Sequence, residues 1–371
     1  MKWLSDDVVE RLREETELPD LGGSKYMLLH KLGSGGMGAV YLAQDADLGR
    51  KVAVKVMNVT DSSGALAARM MREARIVALL EHPSIVPIHD VGTLEDGRVY
   101  YAMKLVLGAR LDEWAKGKRT LQDLLRIFQK VCEAVAFAHS RGVIHRDLKP
   151  ENIMVGPFGE VLVMDWGVAK VSSDGSADSA ASSSSLRDDL RGSENPDVIT
   201  TLPLAGASAG DTRGGTVIGT PAYMAPEQAR GETELLDQRS DIYALGAVLY
   251  FLLTGRPPHE NGNKAREGLS ADSYDRALRR SVRPREFDSK IPRSIEAVCM
   301  KAMSENRNDR YSDAEAIAGD IVSFLDGEPV SAYRENVFEK ASRWLNKNRF
   351  IVLLIVAYLI MRVIVFFAAG R

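Results

Sequence analysis

The hydrophobic pattern changes twice along the chain. Between Tyr26 and Val106, short runs of valine, tyrosine and leucine alternate with polar residues and are broken by glycine or Asp-Gly turns, which predicts a small sheet of short strands. From Thr120 onward, apolar residues recur every three or four positions, which predicts amphipathic helices. After residue 349 the chain is apolar almost without interruption. We therefore expect an α+β fold that ends in one apolar helix.

The same pattern places individual elements. It predicts a helix over residues 65–81 and strands at Ile85–Val91 and Val99–Val106. Further helices are expected at residues 121–142, from Ser240 to Gly255, at Ile291–Met303 and at Ser312–Leu325. The helix that starts at Ser240 is strongly apolar but, at about 15 residues, too short to span a bilayer, so we expect it in the core.

The terminal apolar run, Phe350–Ala369, has the length of a membrane-spanning helix. About 20 helical residues extend roughly 30 Å, which matches the hydrocarbon thickness of a bilayer. Arg362 costs about 2.5 to 3.5 kcal/mol at mid-span, whereas the fourteen Leu, Ile, Val and Phe residues return about 0.3 to 0.6 kcal/mol each, or about 4 to 8 kcal/mol together. Insertion is therefore favoured. A helix docked on the rest of the chain or on another subunit is the alternative.

Composition adds little beyond a globular class. The chain has 371 residues, 45% of them hydrophobic and 27% charged, with a net charge of −3. This balance gives no reason to expect nucleic-acid binding. Cys132 and Cys299 lie far apart in apolar helical patterns, which predicts two buried thiols in a reducing compartment. Acidic residues interrupt any apolar run near Met1, so we expect no secretory signal.

A glycine cluster opens the strand-rich part. It has the pattern G-x-G-x-x-G-x-V and contains Gly33, Ser34, Gly35, Gly36, Met37, Gly38 and Val40. Glycines let backbone amides approach a phosphate without a Cβ in the way. In a dinucleotide-binding fold the glycines would open a helix, but here the sequence runs directly into another strand. The hairpin context therefore favours a flap over a nucleotide.

A conspicuous loop lies between two β-prone runs at 143–155. Its sequence, VIHRDLKPENIMV, brings Asp147, Lys149 and Asn152 into one short segment, so their polar groups must converge on a small volume. The next strand, VLVM, ends in Asp165-Trp166-Gly167. Carboxylate oxygens are ligands that Mg²⁺ prefers. A surface turn that merely carries charges is the competing interpretation of the loop.

Together these strings, from about Tyr26 to Leu325, resemble the eukaryotic-like serine/threonine protein kinases of bacteria. The resemblance rests on the glycine loop, the strand Val52-Ala53-Val54-Lys55, the HRDLKPEN loop, the Asp-Trp-Gly segment and Ala225-Pro226-Glu227, which occur in this order. It implies a bilobal fold, a five-stranded antiparallel sheet with one helix followed by a mainly helical lobe, with ATP in the cleft. Trp166 replaces the usual phenylalanine, and Lys104 replaces the more frequent glutamate.

The resemblance also implies roles. Asp147 would take the proton of the substrate hydroxyl, Lys149 would offset charge on the γ-phosphate, and Asn152 and Asp165 would hold Mg²⁺. The implied ATP-binding residues are Gly33, Ser34, Gly35, Gly36, Met37, Gly38, Val40, Ala53, Lys55, Glu73, Met103, Lys104 and Val106. Among these, Glu73 would hold Lys55 in place, and Met103, Lys104 and Val106 would form the hinge beside the adenine.

Regulation is expected in the segment between Asp165 and Ala225. Its insert, residues 172–215, is dominated by Ser, Gly, Asp and Ala and cannot bury enough apolar surface to order itself. An arginine beside the catalytic aspartate resembles the kinases that are switched on by activation-loop phosphorylation. We predict Thr216 as the leading phosphorylation site, followed by Thr212, whereas Thr220 is expected to position the substrate. A plain flexible insert is an equal alternative.

The expected organisation follows from these assignments. It comprises an acidic segment at 1–25, a kinase domain at 26–326 divided at residue 106, a basic juxtamembrane segment at 327–349 and a transmembrane helix at 350–369. Basic residues before the span place the kinase domain on the cytoplasmic side of a plasma or inner membrane, namely Lys340, Arg343, Lys347 and Arg349. The expected partners are protein substrates and the membrane, and a homodimer stays open. A nucleotide-binding pseudokinase scaffold is the rival function, and a small-molecule kinase is disfavoured by the Ala-Pro-Glu segment.

Overall fold

The computed structural model describes two lobes joined by a short connection. It describes residues 19–35, 38–57, 71, 74–75, 77–166, 170–171, 221–259 and 282–369. A strand-rich small lobe precedes a mainly helical large lobe. The predicted bilobal α+β fold is therefore confirmed.

The small lobe is a five-stranded antiparallel sheet with the strand order β1-β2-β3-β5-β4. Its strands are β1 (Tyr26–Gly35), β2 (Gly38–Asp45), β3 (Lys51–Met57), β4 (Ile88–Thr93) and β5 (Val99–Lys104). β4 begins three residues later than the sequence predicts. Pro87 cannot donate to a strand ladder, and its carbonyl instead accepts a hydrogen bond from Lys104 N at 3.1 Å.

The two faces of this sheet have different neighbours because side chains alternate along each strand. Val52, Val54 and Val56 of β3 point into the apolar core of the lobe. Ala53 and Lys55 lie on the opposite face of the same strand, which borders the large lobe. The alternation of β3 thus places its lysine on the side of the cleft.

The large lobe is built around long helices and a small hairpin. Its strands are β6 (Ala109–Arg110), β7 (Val143–Ile144), β8 (Ile153–Val155), β9 (Val161–Val163) and β10 (Lys170–Val171). Its helices are α1 (Leu111–Trp114), α2 (Leu121–Ser140), α3 (Pro226–Ala229), α4 (Gln238–Thr254), α5 (Pro284–Phe287), α6 (Arg293–Ala302) and α7 (Ala314–Leu325). Single 3₁₀ turns lie at Pro150–Asn152, Pro221–Tyr223, Thr233–Leu235 and Arg307–Asp309.

Helix α4 is the centre of the large lobe, as its apolar sequence predicts. Twelve of its residues are buried. A Cβ on Gly246 would lie 2.7 Å from the side chain of Met303, so glycine at this position lets α4 and the end of α6 approach closely. Helix α4 ends at Gly255, which has φ of 70° and closes the helix in the left-handed conformation. Cys132 of α2 and Cys299 of α6 are both buried thiols, as predicted.

Two further helices follow the large lobe. Helix α8 (Val337–Lys347) and helix α9 (Arg349–Ala369) are separated by Asn348 alone. The large apolar side chains of α9 from Leu353 to Met361 are exposed. Among the residues that the structure describes, no helix is long and apolar enough to cross a membrane. The span expected at Phe350–Ala369 is therefore not confirmed.

Candidate active site

The β8–β9 hairpin brings the two polar loops together. Ile153 pairs with Val163, so the residue before β8, Asn152, lies beside the residue after β9, Met164. The Met164 N–H donates to the Asn152 carbonyl at 2.8 Å. Asp165 follows directly. The antiparallel register thus places Asp165 next to the loop that carries Asp147 and Asn152.

Asp147 is held by two side chains of its own loop. Lys149 Nζ donates to Asp147 Oδ2 at 2.8 Å. Asn152 Nδ2 donates to the same oxygen at 3.2 Å and to the Asp147 carbonyl at 2.8 Å. The Asp147 side chain is 23% exposed, so a hydroxyl can reach it. The loop therefore presents one oriented carboxylate flanked by a cation.

The backbone of this loop is fixed by Asp241, which the sequence-based reasoning did not assign to the site. Asp241 Oδ2 accepts from the His145 N–H at 2.7 Å and from His139 Nε2 at 2.8 Å, and Oδ1 accepts from the Arg146 N–H at 2.8 Å. Burial opposes the charge of Asp241, but these donors, His139 first, hold the pKa of its carboxyl below the usual value. In the sequence, a carboxylate in the first turn of an otherwise apolar helix is the feature that could have indicated a structural role for Asp241.

Both catalytic segments contain one residue in the left-handed backbone region. Arg146 has φ of 68° and Asp165 has φ of 60°, values that are uncommon for residues other than glycine. The Arg146 carbonyl also accepts a hydrogen bond from the Gln228 side chain. Such conformations persist only where surrounding contacts impose them. Here the Asp241 bonds and the hairpin register supply those contacts.

Trp166 is buried directly behind Asp165. Its exposed fraction is 2%, and its Nε1–H donates to the Val163 carbonyl at 3.2 Å. Its ring packs against that of His145, with centroids 4.6 Å apart. His145 Nε2 bonds the Met164 carbonyl at 2.9 Å, and its Nδ1 accepts from the Asp147 N–H at 3.3 Å. Tryptophan therefore fills the aromatic position and adds a hydrogen bond that phenylalanine cannot make.

Lys55 reaches across the cleft to the large lobe. Its Nζ forms an ion pair with Asp165 Oδ1 and lies 5.9 Å from the centre of the Tyr101 ring. Burial of the ammonium opposes its charge, but Tyr101 and Asp165 more than offset this, so the pKa of Lys55 is raised. The sequence predicts Glu73 as the partner of Lys55, but Glu73 lies outside the described residues.

An apolar cluster lies next to this ion pair. Its buried members are Ala53, Val86 and Met103. The side chains packed against them are those of Val40, Tyr101, Leu105, Val106 and Met164. Lys104 is exposed at the end of β5. The structure thus joins Val40, Ala53, Met103 and Val106 in one cluster with Leu105 of the same hinge segment. It also adds Met164, which the motifs did not indicate.

The glycine loop forms the turn of the β1–β2 hairpin. Gly33 pairs with Val40, Ser34 with Ala39, and Gly35 with Gly38. A Cβ on Gly38 would lie 2.4 Å from the Val56 carbonyl oxygen, so only glycine allows β2 to approach β3 so closely here. The tip residues Gly36 and Met37 lie outside the described residues.

The polar groups at the cleft fit a magnesium ion bound together with phosphates. Asn152 uses its Nδ2 toward Asp147, which leaves its amide oxygen for another contact. Asp165 supplies a carboxylate. Within the described residues, no group of three or more His, Cys, Asp or Glu side chains could hold a metal ion. Mg²⁺ is usually held by one or two protein ligands together with substrate phosphates and water.

A second polar cluster supports the segment that follows the insert. Glu227 is buried and forms a two-pronged ion pair with Arg310, with N–O distances of 2.7 and 2.8 Å. Arg310 also donates to the carbonyls of Ser304 and Arg239. From the sequence, Arg310 is expected as the partner of a buried Glu227, because a buried charge needs a partner, and the structure confirms this pairing. The predicted phosphorylation sites, Thr216 and Thr212, and the predicted substrate-positioning residue, Thr220, lie outside the described residues.

Comparisons with known proteins agree with this geometry. The family model described as "Protein kinase domain" matches residues 26–188 and 202–321. The chain is 33% identical over 333 residues to the serine/threonine-protein kinase PknD of Protochlamydia amoebophila, covering 85% of this chain and 31% of that protein. It is 34% identical over 330 residues to the probable serine/threonine-protein kinase PknB of Bifidobacterium longum, covering 85% and 42%.

Among solved structures, the Mycobacterium tuberculosis PknI kinase domain matches with a TM-score of 0.55 and 23% identity. The match covers 81% of this chain and 96% of that domain. At this identity the likeness concerns the fold. The chain spans between about a third and two fifths of the length of the curated relatives it matches.

Proposed function

Because this chain belongs to the protein kinase family, we propose that it transfers the γ-phosphoryl group of ATP to serine or threonine hydroxyls of protein substrates. The observation that carries this proposal is the convergence of Asp147, Lys149, Asn152 and Asp165 at one end of the β8–β9 hairpin, with Lys55 reaching them from the other lobe. The names of the similar proteins, which are serine/threonine-protein kinases, support the same activity.

The apolar cluster around Ala53 and Met103 suits the adenine ring. A flat apolar ligand needs nonpolar surfaces above and below it and a few backbone polar groups at its edge. Val40 and Ala53 come from the sheet, and Met164 comes from the large lobe. Lys104 to Val106 connect the lobes and would offer their backbone groups to the base. The cluster therefore supports ATP as the phosphate donor.

Asn152 and Asp165 would hold Mg²⁺, and Lys55 would contact the phosphates. When bound, the metal ion supplies positive charge against the phosphate oxygens. Lys55 keeps its charge because the pKa of its ammonium is raised. Lys55 pairs with Asp165 in this structure, and its ammonium would contact both Asp165 and the phosphates once ATP is bound. Trp166, anchored by Val163, keeps Asp165 turned toward this cleft.

Asp147 would orient the substrate hydroxyl and accept its proton. Its carboxylate is fixed by Lys149 and Asn152, so little reorganisation is needed when the hydroxyl arrives. Lys149 lies next to that carboxylate and would offset negative charge on the transferred group. A lysine two residues after the aspartate is typical of the serine/threonine branch rather than the tyrosine branch. The catalytic effect is mainly positioning and electrostatics.

Phosphorylation of the activation segment would switch the enzyme on. Arg146 adjoins Asp147, and its backbone is bonded by both Asp241 and Gln228, so a phosphate paired with this arginine would act directly on the catalytic loop. Thr216 is the leading site and Thr212 the next, while Thr220 would help to position the substrate. Phosphopeptide mapping tests this assignment. Full activity with both Thr212 and Thr216 unmodified would contradict it.

The terminal helix α9 would anchor the kinase domain in a plasma or inner membrane, with the kinase domain in the cytoplasm. Its support is the 21-residue helix with large apolar side chains exposed from Leu353 to Met361, since a helix that is apolar on all sides needs an apolar environment. Alkaline carbonate extraction of membranes from expressing cells tests this part. Release of the chain into the soluble fraction would contradict it.

The activity is tested with the full chain, purified in mild detergent and supplied with Mg²⁺ and radiolabelled ATP. We expect label on serine and threonine in the wild type and none in Asp147→Asn. Asp96→Asn is the matched control, because it makes the same chemical change in the exposed β4–β5 turn, where Asp96 pairs with Arg98. A folded wild type that binds nucleotide without incorporating label would instead favour a pseudokinase scaffold.

A further inference from the structure

Helix α8 is oriented with its polar side against the protein and its apolar side outward. At 100° per residue, Val337, Phe338, Ala341, Trp344 and Leu345 share a stripe about 120° wide. All five are exposed, Phe338 at 87% and Trp344 at 58%. A helix on a globular surface normally buries such a stripe. In α8 this stripe is exposed and is therefore available to contact another surface.

The polar side of α8 is fixed by specific contacts with α6 and with the connection that precedes α8. Glu339 accepts hydrogen bonds from the Tyr333 hydroxyl at 3.0 and 3.1 Å and lies 3.8 Å from Arg293 of α6. Arg343, one turn later, forms an ion pair with Glu335 at 2.9 Å and lies 3.6 Å from Glu328. These contacts set which side of the helix faces out. These polar contacts therefore account for the outward position of the apolar stripe.

We propose that the outward face of α8, made by Val337, Phe338, Trp344 and Leu345, lies on an anionic lipid bilayer and holds the kinase domain against the membrane surface. The proposal rests on the membrane anchor proposed above. Only Asn348 separates α8 from α9, and its carbonyl accepts from the Val352 N–H at 2.9 Å. If α9 enters the bilayer, the C-terminal end of α8 lies within one helical turn of the headgroups.

Charge and residue type favour an anionic lipid surface over another protein. Lys340 is exposed beside the apolar stripe, and Lys347 and Arg349 follow in the sequence without an acidic residue between them. Cations on the polar flank and tryptophan, phenylalanine and leucine on the other side are the features of helices that lie in a membrane interface. Tryptophan is enriched at the headgroup level. Trp344 is therefore the residue expected at that depth.

The test uses the full chain in lipid nanodiscs that contain brominated phosphatidylcholine, with or without phosphatidylglycerol. Bromine quenches tryptophan fluorescence at short range, and the chain has four tryptophans, so Trp344→Phe isolates the signal of Trp344. We expect quenching by bromines near the headgroups, its loss in Trp344→Phe, and stronger quenching when phosphatidylglycerol is present. Lys340→Gln should weaken partition of α8 onto the anionic surface about fivefold, which corresponds to about 1 kcal/mol per basic side chain.

A matched pair of variants separates this face from general apolar exposure. Phe338→Glu should abolish the quenching of Trp344, whereas Phe158→Glu, at a residue 94% exposed in the β8–β9 turn, should leave it unchanged. Retention of the chain in the discs while Trp344 stays unquenched would overturn the proposal and leave the anchor intact. Loss of the chain from the discs would overturn both. A detergent-solubilised dimer that Phe338→Glu converts to a monomer would assign the face to a second copy and also overturn it.

Discussion

The substitution Asp241→Asn tests whether a buried carboxylate outside the catalytic loop sets the geometry of that loop. Asp241 accepts three hydrogen bonds, two of them from the backbone N–H groups of His145 and Arg146. Asparagine has one acceptor oxygen and one NH₂ group, so in either orientation its NH₂ faces an N–H donor. At least one buried N–H therefore loses its partner, and the remaining bonds lose the assistance of a charge.

The cost follows from these bonds. Leaving one buried N–H unpaired costs about 1 to 3 kcal/mol, and weakening the others adds about 1 kcal/mol, for a total of roughly 2 to 4 kcal/mol. If displacement of Asp147 adds about 2 kcal/mol of this cost to the activation free energy of phosphoryl transfer, kcat should fall about 30-fold. Because the adenine cluster lies elsewhere, KM for ATP should change much less.

Asp320→Asn is the matched control. Asp320 is also a buried carboxylate, in α7, and it accepts from the Tyr311 hydroxyl at 2.6 Å and from the backbone N–H groups of Ser331 at 2.6 Å and Ala332 at 3.2 Å. Its loss should lower stability without moving the catalytic loop. Steady-state kinetics well below both unfolding temperatures compares the variants. A wild-type kcat for folded Asp241→Asn, or an equal loss for Asp320→Asn, would refute the reasoning.

Asp241→Asn should also change how the unfolding free energy depends on pH. The pKa of Asp241 is lower in the fold than in the unfolded chain, so its ionised form stabilises the fold above the unfolded value and this stabilisation is lost as pH falls through the folded value. The difference in unfolding free energy between the wild type and Asp241→Asn should therefore be constant near neutrality and shrink below about pH 4. Urea titrations at several pH values measure it.

Three further changes probe the site and its support. Glu227→Gln leaves the Arg310 charge buried without its partner and should lower the unfolding free energy by about 3 to 5 kcal/mol. Adding Arg310→Met removes the buried charge and should recover much of this loss. Urea unfolding measures both variants, and equal instability of the single and double variants would contradict the prediction. Trp166→Phe removes the hydrogen bond to Val163 and should cost about 1 kcal/mol and raise the Mg²⁺ concentration needed for half-maximal activity; unchanged Mg²⁺ dependence would count against a positioning role. Lys55→Met should reduce kcat/KM for ATP by about 100-fold or more while the protein stays folded by circular dichroism, and near-normal turnover would exclude a phosphate contact.

Features that depend only on neighbouring residues could be predicted from the amino-acid sequence. HRDLKPEN, the glycine loop and the Asp-Trp-Gly segment are short strings whose chemistry is set by residue type and spacing, so the family and the candidate catalytic residues could be predicted from them. Periodicity placed the core helix α4 and predicted that both cysteines would be buried. Glu227 and Arg310 were paired correctly because a buried charge needs a partner.

Contacts between groups that are distant in the sequence depend on the tertiary fold. Asp241 reaches the catalytic loop, and Lys55 pairs with Asp165, only because packing and strand register bring separate segments together. The orientation of α8 is decided in the same way. Its sequence defines an apolar stripe, but the contact of Glu339 with Arg293 of α6, together with the ion pair of Arg343 and Glu335, turns that stripe outward. Local pattern fixes what each segment can bury, and long-range contacts determine against which partner it does so.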